Sequence, residues 1–252
     1  MTVGLVLSGG GARGVAHIGV IQALEEAGIT IHRVAGTSAG SIVGALYAYG
    51  YKPADILQIV LKTSFFKSLR PAWAWTGLLR LDGLKEVLLE ALPENDFASL
   101  KIPLAVAATE IIKGETHYFT DGQLVPAIQA SCCIPAVFDP IVFAGGTYVD
   151  GGLMDNLPAQ AIRSQCDWLI GSHCNPISDG VDLKNIKIVI ERSMLMAING
   201  NTRTSKAMCN VLIEPPGLDK YSGFDLAKAE EIFELAYTYT RRTFTAGRLL
   251  PA

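Results

Sequence analysis

Ser38 lies in Gly36-Thr37-Ser38-Ala39-Gly40, between a short apolar run and a stretch of small residues. A serine on a sharp strand-to-helix turn holds its hydroxyl exposed and fixed, which an acyl-transfer nucleophile requires. Glycines two before and two after it remove side chains that would collide in so tight a turn. The helix that starts after Ser38 favours negative charge at its amino end. Alone, the pentapeptide also fits an ordinary turn. A second glycine pattern, Ser8-Gly9-Gly10-Gly11-Ala12-Arg13-Gly14, changes its meaning. Three successive glycines let backbone N–H groups converge on an anion, and a following helix adds its positive end. Neighbouring strands of a parallel sheet end side by side, so an anion cradle and a nucleophile can meet there. Together the two patterns point to acyl transfer.

Gly9, Gly11 and Gly14 also fit the GxGxxG dinucleotide fingerprint. That reading requires an acidic residue at the end of the second strand, where this chain has Ala35-Gly36-Thr37-Ser38. A serine nucleophile also needs a partner to take its proton. The histidines are His17, His32, His117 and His173. His17 falls inside the first helical pattern and His32 just before the second strand. His117 alternates with Phe119 in an expected surface hairpin. Only His173, at the end of an expected strand, could follow an acid in the order Ser…Asp…His. Its other reading is a packed strand-end residue. Asp150 is the second candidate base, in Asp150-Gly151-Gly152 after the turn Gly145-Gly146 and a short strand. An Asp before two glycines is also a common turn. The residues themselves leave a Ser–His–Asp triad and a Ser–Asp pair open.

As a set, SGGGARG, GTSAG and DGG resemble the patatin-like phospholipases. That family shows a DGGGxRG-type loop, a GxSxG turn and a DGG or DGA segment in this order. Ala130-Ser131-Cys132-Cys133-Ile134-Pro135 and Asp155-Asn156-Leu157-Pro158 look like its connecting segments. The resemblance runs from residue 1 to about residue 175, and the remainder is similar to the carboxyl half of short bacterial members. It implies a catalytic dyad with Ser38 as nucleophile and Asp150 as base, and no catalytic histidine. It also implies an oxyanion hole from the N–H groups of Gly10 and Gly11, with Arg13 binding a polar or negative head group. A structural ion pair is the other role for Arg13. Ser8 stands where the family usually has Asp. A free Asp titrates near ~3.9 and is a weak base, so Asp150 needs burial to serve. The implied substrate is a phospholipid, lysophospholipid or other acyl ester. A Ser–His–Asp esterase using His173 and a non-catalytic lipid-binding module are the alternatives.

The elements needed to position these residues alternate in the βα manner. Val3 to Leu7, Leu104 to Ala108 and Trp168 to Ser172 read as strands buried on both faces, with a shorter one at Arg33 to Ala35. Val15 to Ala27 reads as a helix ending at Gly28, and another runs from the Ser38 turn through Tyr49. Ile186, Ile190, Met194 and Ile198 recur at helical spacing, as do Leu226, Ala229, Ile232, Phe233 and Ala236. The expectation is one three-layer α/β domain over 1–252, a mostly parallel central sheet flanked by helices.

Half of the 252 residues are hydrophobic and 18% are charged, which excludes extended disorder. The net charge of -3 comes without any basic stripe, which argues against a nucleic-acid partner. No HExxH, EF-hand loop or Cys/His cluster suggests a metal, and no cofactor is expected. The five cysteines lack CxxC spacing and read as buried thiols in a reducing compartment. With no secretory signal pattern and no run of about 18 apolar residues, the expected location is cytoplasmic. In residues 64–81 Phe65, Phe66, Trp73 and Trp75 mix with Lys67, Arg70 and Arg80. That composition suits a lid, a peripheral membrane contact or a homodimer contact.

Overall fold

The computed structural model describes residues 1–62, 70–71, 79–177, 179, 184, 186–223 and 226–245. The chain opens with β1 (Val3–Leu7), α1 (Ala16–Glu26), β2 (Arg33–Thr37), α2 (Ala39–Tyr49) and α3 (Pro53–Lys62). The ribbon strands β3 (Arg70–Pro71) and β4 (Leu79–Arg80) follow, then α4 (Asp82–Ala91), β5 (Leu104–Glu110), β6 (Glu115–Phe119) and α5 (Leu124–Ser131). After β7 (Ile141–Phe143), β8 (Gly146–Asp150) and β9 (Trp168–Ser172) come α6 (Ile186–Asn201), α7 (Arg203–Met208), β10 (Val211–Ile213) and α8 (Ala229–Thr245). Most of the aromatic segment 64–81 lies outside the described residues.

β1 and β5 are buried throughout, and Val3–Leu7 and 104–108 are apolar because both faces are covered. They belong to an eight-stranded sheet in which β10-β9-β1-β2-β5 run parallel. Beyond β5 the direction changes. Ala107 of β5 pairs with Thr37 of β2 on one edge and with Tyr118 of β6 on the other. One residue on, Ala108 pairs with Asp150 of β8 and His117 of β6. Antiparallel β6 therefore keeps one edge of β5, while β2 and β8 share the other. They meet there with their carboxyl ends facing, so Thr37 and Asp150 occupy neighbouring register positions.

Alternate residues of β1 feed two cores. Leu5 and Leu7 pack in a cluster with Ile18 and Ile21 of α1, Leu46 of α2 and Ile232 of α8. Val6 packs on the other face with Leu157, Ile162 and Leu169. The architecture is a mostly parallel α/β sheet flanked by helices. Helix α1 is preceded by a 3-10 turn over Gly11–Val15 and stops where Gly28 adopts φ +75°.

Helix α6 forms where the spacing of Ile186, Ile190 and Met194 places it, but that stripe does not face the core. These residues are 73%, 52% and 43% exposed. The helix is held instead by amides near its end: Asn199 Nδ2 donates to Asn175 O at 2.9 Å and Asn201 Nδ2 to Gly152 O at 2.9 Å. Among the described residues, no helix is long and apolar enough to cross a membrane.

Candidate active site

Strand β2 ends at Thr37 and α2 begins at Ala39, which leaves Ser38 to make the whole turn at φ 52° and ψ -123°. A non-glycine residue at positive φ is strained and persists only when its surroundings fix it. Ser38 N–H donates to Ser131 Oγ at 2.8 Å, and Ser41 Oγ donates to Ser38 O at 2.7 Å. Thr37 Oγ1 donates to Asp155 O at 2.9 Å, tying the strand end to the loop after β8. The two flanking glycines are steric requirements. A Cβ on Gly36 would lie 2.5 Å from Gly40 O, and one on Gly40 would lie 2.4 Å from Leu7 O of β1.

Asp150 arrives opposite this turn through the shared edge of β5. Its N–H donates to Cys133 O at 2.8 Å, and its carbonyl accepts Thr109 Oγ1 at 3.0 Å. The carboxylate accepts Gly152 N–H at Oδ1, 2.7 Å away, and lies within hydrogen-bonding reach of the Ser38 hydroxyl. Asp150 is only 8% exposed. Burial raises its proton affinity, and the Ser38 hydroxyl and Gly152 N–H partly oppose it, leaving a pKa of about 6. A carboxylate titrating there can take a proton near neutral pH, which an ordinary Asp does poorly.

The glycine loop runs beside the serine, since a Cβ on Gly9 would lie 3.2 Å from Ser38 Cβ. Gly11 has φ +58°, and a side chain there would strike Gly223 O, the acceptor of Ala12 N–H at 2.7 Å. Among the described residues the N–H groups of Gly10 and Gly11 have no acceptor. His17 is buried behind the loop. Its Nε2 donates to Ser8 O at 2.8 Å, so its Nδ1 accepts the Ser172 hydroxyl at 2.7 Å. Burial lowers His17 to about 4, which keeps the ring neutral.

A cavity partly open to solvent is lined by Gly11 and Ser38. It continues between Val43, Val60, Leu84 and Phe138, an apolar lining suited to a hydrocarbon chain. Cys132 also lines it, with its thiol within hydrogen-bonding reach of Ser38.

A family model described as patatin-like phospholipase matches residues 5–162. The chain belongs to that family. It is 28% identical to lysophospholipase NTE1 of Meyerozyma guilliermondii over 98% of its own length, which is 19% of that protein. It is 36% identical to an uncharacterised NTE family protein of Mycobacterium tuberculosis over 70% of its length, 51% of that protein. The chain thus spans between about a fifth and a half of the relatives it matches. VipD from Legionella pneumophila shares the fold, with TM-score 0.57 and 16% identity, covering 97% of this chain and 67% of that one.

Of the residues that the patatin-like motifs single out, the structure brings together Ser38, Asp150, Gly10 and Gly11. Arg13 follows on the same loop, its N–H donating to Gly10 O at 3.2 Å. Its guanidinium packs near Gly223 and within electrostatic reach of His173 and Cys174. His173 is fully buried with Nδ1 on Glu214 Oε1 at 2.6 Å, and Lys206 Nζ meets the same oxygen at 2.7 Å. Burial lowers the proton affinity of His173. Burial opposes ionisation of Glu214 too, but its bonds to His173 and Lys206 prevail and lower it to about 2. No contact between His173 and Ser38 occurs among the described residues.

Sequence reasoning passes over Ser131, Asn156 and Asn175. Ser131 Oγ both receives Ser38 N–H and donates to Ala107 O at 2.6 Å. Its only signal was a place in the Ala130–Pro135 connecting segment. Among the described residues no group of acidic, histidine or cysteine side chains could hold a metal ion.

Proposed function

We propose that the chain is a lipid acyl hydrolase acting through Ser38 and Asp150. The observation that carries this reading is the Ser38 hydroxyl, held at its strained turn within hydrogen-bonding reach of a buried carboxylate with a pKa of about 6. Ser38 Oγ attacks the ester carbonyl while Asp150 takes its proton. The N–H groups of Gly10 and Gly11 receive the charge that develops on the carbonyl oxygen. Collapse of the tetrahedral intermediate breaks the ester C–O bond, and Asp150 returns the proton to the departing alcohol. Water, deprotonated by Asp150, then releases the acyl group and restores Ser38.

The apolar cavity supports a fatty acyl chain as the group transferred. The relatives named lysophospholipases favour a phospholipid bearing such a chain as substrate class. Contact with a lipid surface belongs to the same reading, with residues 64–81 as its candidate. The test is labelling with a fluorophosphonate ester and mapping of the adduct. Ser38 should be modified, and Ser38→Ala and Asp150→Asn should each abolish ester hydrolysis. His173→Ala should retain most of it. An adduct at another residue, or loss of activity in a folded His173→Ala protein, would refute the dyad.

A further inference from the structure

The carbonyl of Gly9 collects more donors than a turn oxygen needs. Asn175 Nδ2 donates to it, with Cys174 Sγ at 3.4 Å and Asn156 Nδ2 at 3.5 Å. That carbonyl shares a peptide plane with the N–H of Gly10. The next plane is treated alike, because Gly10 O accepts Arg13 N–H at 3.2 Å and is joined to the N–H of Gly11. Donors on an amide oxygen draw electron density from its nitrogen and make the N–H on the far side a stronger donor.

Asn175 is 1% exposed, and its Oδ1 has no partner among the described residues. A buried polar atom without a partner is unusual and calls for a reason. The reason lies at the other end of the amide. Gly9 O can only accept, so the atom facing it must be Nδ2, and reversing the amide would set two acceptors against each other. Side-chain volume alone would be better supplied by an apolar residue. The amide also packs under the loop, since a Cβ on Gly10 would lie 3.0 Å from Asn175 Oδ1. Helix α6 fixes both asparagines from outside: Asn199 Nδ2 holds Asn175 O at 2.9 Å and Asn201 Oδ1 receives Asn156 N–H at 3.1 Å.

We infer that Asn175, supported by Asn156, is a positioning residue for acyl transfer that fixes and polarises the Gly9–Gly10 peptide, whose N–H meets the oxyanion. This rests on the Ser38 reading given above. The test is Asn175→Leu, which keeps the volume and removes both the donor and the unpaired oxygen. Sites are titrated to completion with a fluorophosphonate, so that turnover is counted per labelled Ser38. The expected result is a fall in kcat per titrated site of about tenfold or more, less than loss of a direct oxyanion donor. KM should stay within about twofold, because the contact strengthens only in the transition state. The melting temperature should hold or rise. Asn175→Met, of similar volume but without the N–H, is the second variant should the leucine protein not fold. It should show the same drop. A purely structural role would remove titratable sites and leave kcat per site at the wild-type level, and that outcome in either variant overturns the inference. A wild-type protein that is not labelled at Ser38 refutes the dyad itself, a separate result.

Discussion

Asp150 combines two properties that pull against each other. Burial makes it a competent base near neutral pH, and the same burial makes its charged form a cost to the folded chain. In the unfolded chain it titrates near ~3.9, and in the folded one at about 6. Below the lower value both states hold the proton, and Asp150 adds nothing to the pH dependence. Between the two, the unfolded chain releases a proton that the folded chain keeps, so stability falls as pH rises. Above about 6 the penalty is complete, on the order of 2–3 kcal/mol. Two outcomes are expected. The kcat/KM of the wild-type protein should rise with pH through an apparent pKa near 6. Asp150→Asn should melt about 5–10 °C higher than wild type at pH 8, roughly the shift such an energy gives a domain of this size. That advantage should vanish below about pH 4, where the wild-type carboxyl is neutral in both states. Thermal melts of both proteins across this range decide it, and a pH-independent difference would show that Asp150 is not the group under strain.

The turn at Ser38 depends on pieces that arrive from three directions, and Ser131 joins them. Its hydroxyl satisfies Ser38 N–H and Ala107 O together, at the point where β2 gives way to β8 along β5. Ser131→Ala leaves both buried backbone groups without that partner, a loss of about 2–6 kcal/mol at roughly 1–3 per group. Because the turn then relaxes, kcat should fall more than KM rises. Urea unfolding and steady-state kinetics check both, and a change under about 0.5 kcal/mol would mean that water replaces the hydroxyl. This element also shows where the sequence was legible. β1 and the greater part of β5 and β9 are continuous apolar runs, and only strands covered on both faces need that pattern. The glycines around Ser38 carry a signal because sterics at Leu7 and Gly40 tolerate nothing larger. The reversal of direction beyond β5 left none, since β8 is a five-residue strand whose partner is set by register. Ser131 in an apolar helix reads as a small core residue. Asn156 and Asn175 meet Gly9 across 147 and 166 positions, and no local spacing encodes such contacts. For α6 the period fixed the helix but not the side it turns inward, because Asn199 and Asn201 outweigh the apolar stripe as anchors.

The cavity belongs to the molecule as a whole, because α2, α3, α4, the segment after α5 and Leu226 before α8 each supply part of its wall. None of these stretches announces a pocket in sequence, since Val43, Val60 and Leu84 look like any buried apolar residue of a helix. They are buried, at 3%, 6% and 4% exposure, yet they face empty space rather than a neighbour on one side. An apolar wall without polar anchors discriminates by length and shape, and each methylene it covers contributes about 0.8 kcal/mol. Such a site should therefore select acyl chains by how much of the cavity they fill. Val60→Trp adds bulk from α3 into that space. A chain long enough to reach Val60 then loses several methylene contacts, whereas a short chain near Ser38 loses few. Three or so methylenes lost amount to roughly 2.4 kcal/mol, or about fiftyfold in kcat/KM. The quantity to measure is the ratio of kcat/KM for a long-chain ester to that for a short-chain ester of the same alcohol. In Val60→Trp the ratio should fall by at least about tenfold. Taking it as a ratio removes any common effect on the fraction of folded protein. An unchanged ratio in a folded variant would mean that the acyl chain leaves Ser38 by another route and that this cavity is not its binding site.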